Sequence, residues 1–272
     1  MSLSRIQMFF VLANYFLTLI CINGVKANEL IPENKLLRVA VIYIEEPPYL
    51  YTTEEYQYKG IFPSLAEALS RELDLELSYV PTPRNGLEKT LESDQADMTW
   101  LSPKWVKNGS NLQFSVPIIV HREFLFSFSP FDETDNQNKT LNWLKNKSVC
   151  VRQYYQYPNL SPYFDKKIAR PVEVSNQTPL IKLFRKGRCD LLYLDEYRAS
   201  WMIDRFNIKR KIWRSSSSLE NSNLSFVFSQ KWKNKLPRVN QVVTKIRDSG
   251  ELDSILSNNL YPIDLLKQAD AK

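Results

Sequence analysis

Two acidic residues stand just past apolar runs. Glu46 comes after the run from Leu36 to Ile44, and Asp195 after the run from Cys189 to Leu194. In open α/β sheets the carboxyl ends of buried strands line a crevice, so a carboxylate there can pair with a cation or exchange a proton. The plainer alternatives are a helix N-cap for Asp195 and a solvated loop acid for Glu46. Tyr49, Trp100, Trp105, Tyr154 and Tyr155 lie at or just beyond the ends of apolar runs. Such rings stack on flat or cationic molecules, or simply pack the core. Lys104 and Arg152 add positive charge suited to an anion or to a surface ion pair, and Ser102 adds a hydroxyl. The candidate binding residues are therefore Glu46, Tyr49, Trp100, Ser102, Lys104, Arg152, Tyr154 and Asp195.

Other chemistry is excluded by composition. His121 is the one histidine, which rules out multi-histidine metal sites. No serine or cysteine is spaced to pair with it, so a structural or hinge role is expected of it. The six glycines are too scattered for a phosphate-binding loop or a dinucleotide fingerprint. No metal, cofactor or nucleophile constellation follows from the sequence.

The elements that must position these residues alternate. Leu36–Ile44 is a nearly continuous β-branched apolar run, the pattern of a strand buried on both faces. A helix opening at Pro63-Ser64 carries Leu65, Leu69 and Leu73; a strand follows at Leu75, Leu77 and Tyr79, then a short helix at Leu87 and Leu91 and a strand over Ala96–Leu101. A second series has strands at Ser148–Gln153, Val172–Val174 and Cys189–Leu194, with helices at Thr178–Phe184 and Glu196–Phe206. Residues 130–142 and the Ser/Asn-rich stretch after Ser215 are polar breaks. A short strand at Phe226–Phe228 and an amphipathic helix over Trp232–Arg247 close the chain before Gly250. The order argues for two α/β units with parallel sheets.

The N-terminus reads as an export signal. Arg5 precedes the apolar run Met8–Ile22, which is shorter than the ~20 residues of a membrane span, and Val25-Lys26-Ala27 resembles a cleavage site. Cleavage after Ala27 removes Arg5 and Lys26 but no acid from a chain of formal charge +6. An exported protein with dispersed basic residues is not expected to bind nucleic acid. Cys150 and Cys189 remain, either bridged or as two buried thiols; a bridge requires Cα atoms within ~7 Å.

Several segments then resemble the family 3 periplasmic solute-binding proteins, the group that includes polar amino-acid binders of ABC uptake systems. They are LLRVAVIYIEEPPYLY, KGIFPSLAEALSRELDLELSYV, Ala96-Asp97-Met98, Phe114-Ser115-Val116-Pro117, Gly187–Asp195 and Ser249-Gly250-Glu251-Leu252. The resemblance implies an α/β, two-lobed periplasmic-binding-protein fold of type II, each lobe a mostly parallel sheet flanked by helices. Two crossover strands near Glu123–Ser129 and Leu224–Ser229 would join lobe 1 (residues 28–126 and 227–272) to lobe 2 (127–226), after a signal peptide over 1–27. It also implies neighbouring strands for Cys150 and Cys189, a periplasmic monomer, a small-molecule ligand in the interlobe cleft, and an ABC permease or membrane sensor as partner. The sequence departs from the family at the ligand. The arginine that clamps the ligand carboxylate is replaced near Lys107-Asn108, whereas the acceptor of the ligand ammonium matches Asp195. Two carboxylates and several rings then favour a cationic or amphipathic solute over an ordinary amino acid. A dehydratase-like enzyme using Glu46 and Asp195, or an accessory domain with a degraded pocket, are the competing readings.

Overall fold

A computed structural model describes residues 35–106, 111–131, 142–153, 155, 157–260 and the backbone of 267–268. The expected signal peptide, the segment 132–141, Lys107-Asn108 and Tyr154 lie outside the described residues.

The chain begins with β1 (Leu36–Ile42), the short hairpin β2 (Tyr51–Thr52) and β3 (Tyr58–Lys59), α1 (Ile61–Leu73), β4 (Glu76–Thr82), α2 (Leu87–Glu92), β5 (Met98–Leu101) and β6 (Gln113–Phe114). Strand β1 lies between β4 and β5, parallel to both. Its Val39 and Ala40 are fully buried because each of its faces is covered. Leu65, Leu69 and Leu73 fall on one face of α1 and pack into the core with Leu37, Val39 and Phe226. Asp97, at the foot of β5, accepts hydrogen bonds from the Arg38 backbone and guanidinium and pairs with Lys231, tying three segments of this lobe together.

Strand β7 (Ile119–Ser127) leads into the second lobe, which continues through β8 (Ser148–Arg152), α3 (Ser161–Asp165), β9 (Arg170–Val174), α4 (Gln177–Arg185), β10 (Leu191–Asp195), α5 (Glu196–Arg205) and β11 (Trp213–Arg214). Strand β10 runs parallel to β8, and β8 to β9, while β7 is antiparallel to both β10 and β11. Cys150 in β8 and Cys189 just before β10 form a disulfide with a Cα separation of 5.7 Å. Between the two open readings of these cysteines, the bridge is the one observed.

Strand β12 (Glu220–Phe228) returns the chain to the first lobe, followed by α6 (Leu236–Asp248), α7 (Glu251–Asn259) and β13 (Lys267–Gln268). The sheets meet where β12 and β7 pair with each other, Glu220 opposite Glu123 through Leu224 opposite Ile119. The remainder of β7 pairs with β10, and the remainder of β12 with β5. The passage between sheets thus lies N-terminal to the expected crossover segments. Its β12 half falls in the stretch Glu220–Asn223, which its polarity marks as a break. Pairing with β7 supplies the backbone partners that polar residues alone do not signal, and Ser222 is buried there opposite His121.

Candidate functional site

The loop after β1 is held by the start of α1. The amides of Ile61 and Phe62 donate to the carbonyls of Pro48 and Tyr49, each at 2.9 Å. Gly60 permits this approach: its φ is +117°, and a Cβ there would stand 2.5 Å from the Pro48 carbonyl oxygen. The loop projects Glu46 and Tyr49 toward the second lobe. From that lobe come Arg152 at the end of β8, Asp195 at the end of β10 and Arg198 in the first turn of α5.

These five residues form one network across the lobes. Arg152 Nη1 donates to Glu46 Oε1 at 3.1 Å, and Arg198 Nη2 donates to Glu46 Oε2 at 2.5 Å. The Tyr49 hydroxyl donates to Asp195 Oδ1 at 2.7 Å, and the Arg198 backbone N–H donates to the same oxygen at 3.0 Å. Asp195 is both the N-cap of α5 and a member of the interlobe network, so its two readings hold together. Its other oxygen, Oδ2, is buried and accepts no hydrogen bond; Arg198 Nη1 stands 3.5 Å away and His121 Nε2 3.6 Å away.

The electrostatics follow from burial and proximity. Burial alone would raise the pKa of Glu46, but the charges of Arg198 and Arg152 outweigh it and hold the carboxyl below its ordinary value. Burial pushes Asp195 up too, and Arg198 and His121 bring it well below the usual carboxylate range. Burial acts to lower Arg198, yet Glu46 and Asp195 keep it above its ordinary value. Glu123, beside Asp195 in the β7–β10 pairing, is shifted upward by burial although the Tyr193 hydroxyl donates to it at 2.7 Å.

Aromatic rings wall the network. The Tyr49 ring lies under the Arg198 guanidinium at 5.0 Å and meets Trp100 edge-on at 5.3 Å. Trp100 in turn stacks on Phe62 at 4.9 Å, and Tyr155 lies under Arg152 at 4.5 Å. Trp105 meets the ring of His121 at 5.7 Å.

The structure brings together Glu46, Tyr49, Trp100, Arg152 and Asp195 from the sequence candidates. Ser102 and Lys104 stand apart. Ser102 is buried and caps the short turn Pro103–Trp105, and Lys104 Nζ reaches the Asn221 carbonyl at 2.6 Å and Glu220 at 3.3 Å. Lys104 is engaged by the crossover strand, where Glu220 offers it a carboxylate and Asn221 a carbonyl. Tyr154 lies outside the described residues. The charge balance also differs from the expected pair of carboxylates, because two guanidiniums stand against them. Arg198 is the residue that sequence reasoning missed. Its signal is its place three residues after Asp195, in the first helical turn at a strand's carboxyl end. His121 lies within β7 rather than before the crossover, close enough to Asp195 for a charge contact.

The family model for bacterial extracellular solute-binding proteins, family 3, matches residues 37–260. The chain belongs to this family. Among solved structures, this family 3 protein is similar to an ancestral cationic amino acid solute-binding protein, AncCDT-1, at 17% identity and a TM-score of 0.65, over 83% of this chain and 96% of that one. It is also similar to the GluR0 ligand-binding core in complex with L-glutamate, at 16% identity and a TM-score of 0.63, over 84% and 100% of the two chains. A third is substrate-binding domain 2 of Lactococcus lactis GlnP in its open conformation, at 15% identity and a TM-score of 0.62, over 84% and 97%. These likenesses establish the two-lobed α/β fold. No curated protein sequence matches the chain.

Proposed function

We propose that this solute-binding protein captures a small polar solute carrying both a cationic and an anionic group between its lobes. The single observation that carries this reading is the interlobe network, in which Asp195 Oδ2 accepts no hydrogen bond while Arg152 and Arg198 converge on one carboxylate. Asp195 Oδ2 suits an ammonium or guanidinium, and the two guanidiniums suit a carboxylate. The anion clamp would then come from the second lobe rather than from the segment after β5. Glu46 holds that clamp, so a solute carboxylate must displace it. Rings of Tyr49, Trp100 and Tyr155 would cover the apolar part. Ligand-driven closure of the lobes would present the solute to an ABC permease or a membrane sensor from the periplasm, after removal of residues 1–27. The lobes would divide as 28–126 with 227–272, and 127–226. Binding is favoured over catalysis because Glu46 and Asp195 are engaged by the guanidiniums of Arg152 and Arg198, the Tyr49 hydroxyl and the cap of α5, and no nucleophile stands among them.

Calorimetry with three sets of compounds tests this: amino acids, amines lacking a carboxylate, and carboxylates lacking an amine. Compounds with both groups should bind tightest. Asp195→Asn should weaken them by about 2–5 kcal/mol, and Glu46→Gln should strengthen those with a carboxylate. Tight binding of simple amines that ignores both Arg152→Met and Arg198→Met would overturn the reading.

A further inference from the structure

The far end of the second lobe, opposite the network, is built from the turns that lead into four strands running in one direction. Strands β8, β9 and β10 are parallel, and β11 joins them because both it and β10 are antiparallel to β7. Their N-terminal ends therefore share one edge of the lobe. Hydrogen bonds link neighbouring turns there: Asn146 N–H to the Ile168 carbonyl at 2.8 Å, Arg170 N–H to the Lys147 carbonyl at 2.9 Å, and Arg185 Nη1 to the Phe206 carbonyl at 3.1 Å.

Every one of these turns is basic. Lys145 and Lys147 precede β8; Lys166, Lys167 and Arg170 lead into β9; Arg185, Lys186 and Arg188 precede β10; Arg205, Lys209, Arg210 and Lys211 precede β11. All twelve are exposed, and the same turns hold only three carboxylates, Asp165, Asp190 and Asp204. The Asp190 carboxylate already accepts from the Ser148 backbone and hydroxyl. Adding the charges of segment 132–141, namely Asp132, Glu133, Asp135 and Lys139, leaves a large positive excess. Among the described residues none of the twelve makes a salt bridge. The chain's formal charge of +6 is therefore concentrated rather than evenly spread.

We infer that this end of the second lobe is a docking surface for an anionic phospholipid membrane. The cations spread across the breadth of the sheet instead of converging on a pocket, which suits many phosphates rather than one. Among the described residues, none of the large exposed apolar side chains, Leu36, Tyr43, Ile44, Tyr56, Trp105, Val120 and Tyr155, belongs to these turns. A protein partner would want buried aromatic or aliphatic anchors, and single-stranded nucleic acid would want exposed rings to stack on. Charge without anchors matches a lipid headgroup surface, where Lys and Arg act by proximity to negative phosphate.

Vesicle co-sedimentation of the full chain tests this, using phosphatidylcholine alone and phosphatidylcholine with about a third phosphatidylglycerol. The apolar run Met8–Ile22 would bind both vesicles alike, so the difference between them is the readout. Binding should be stronger to the anionic vesicles, and the excess should fall with added salt. Lys145→Gln, Lys147→Gln and Lys167→Gln together should reduce that excess about a hundred-fold, from about five-fold per charge. The same three changes at Lys59, Lys89 and Lys233 of the first lobe should leave most of it, and melting curves of both triple variants confirm that they fold. Equal binding to both vesicles, equal loss in both triple variants, or capture of duplex DNA or polyglutamate without an anionic-vesicle preference would overturn the inference.

Discussion

Tyr49 of the first lobe donates its hydroxyl to Asp195 of the second at 2.7 Å, across 146 residues of sequence. Burial first, and then the Asp195 charge, raise the Tyr49 pKa well above its ordinary value, so the phenol is a donor throughout the working pH range. Tyr49→Phe keeps the ring against Trp100 and removes only the donor. It should cost the lobe contact about 1–2 kcal/mol. Small-angle scattering should then show a larger mean radius of gyration than in the parent protein; an unchanged radius would count against the hydrogen bond as a latch.

Arg198 faces two carboxylates from a buried position, so removing it leaves Glu46 with Arg152 alone and Asp195 without its guanidinium. Arg198→Met should destabilise folding by about 3–5 kcal/mol. Adding Glu46→Met should recover part of that loss, because the double variant no longer buries the second charge. Urea unfolding of both single variants and the double measures the coupling. Strict additivity would mean that the pair does not interact.

Acid should weaken the fold through Glu46 and Asp195. Both have folded pKa values below their ordinary ones, so they contribute stability above about pH 4. That stability is lost as pH falls, since the unfolded chain takes up protons first. Glu123 has the opposite sign: its raised value lets the folded protein bind a proton first, and stability drops as pH climbs through that value. Unfolding followed across pH in Glu46→Gln should show a shallower acid loss, and in Glu123→Gln a flatter profile at higher pH.

The disulfide between Cys150 and Cys189 closes a loop with a sequence separation of 39. On the loop-entropy account it should contribute about 4 kcal/mol. Cys150→Ala with Cys189→Ala should lower the urea midpoint accordingly. A smaller loss would show that the second lobe's strand pairing already restricts the unfolded chain.

Gly60→Ala should cost at least about 2 kcal/mol, through positive φ and overlap with the Pro48 and Tyr49 carbonyls. The substitution should also displace the loop bearing Glu46 and weaken solute binding. Thermal melts and calorimetry on the same samples would separate these effects, and a variant as stable as the parent would contradict the close approach.

The alternation of strand and helix, the helix faces of Leu65, Leu69 and Leu73, and the placement of Glu46 and Asp195 past strand ends were all legible in the sequence. Each is a local signal: a period of 3.6 or 2, or a residue type at an element's edge. The bridging of the two cysteines, the strand character of Glu220–Asn223 and the part played by Arg198 required the tertiary structure. Polar β12 becomes a strand because β7 offers it partners. Arg198 meets Glu46 only because the crossovers bring β10 and α5 against the loop after β1, 152 residues away in sequence. Periodicity says which face of an element is buried, but which opposite charge waits there depends on chain segments whose approach no local pattern encodes.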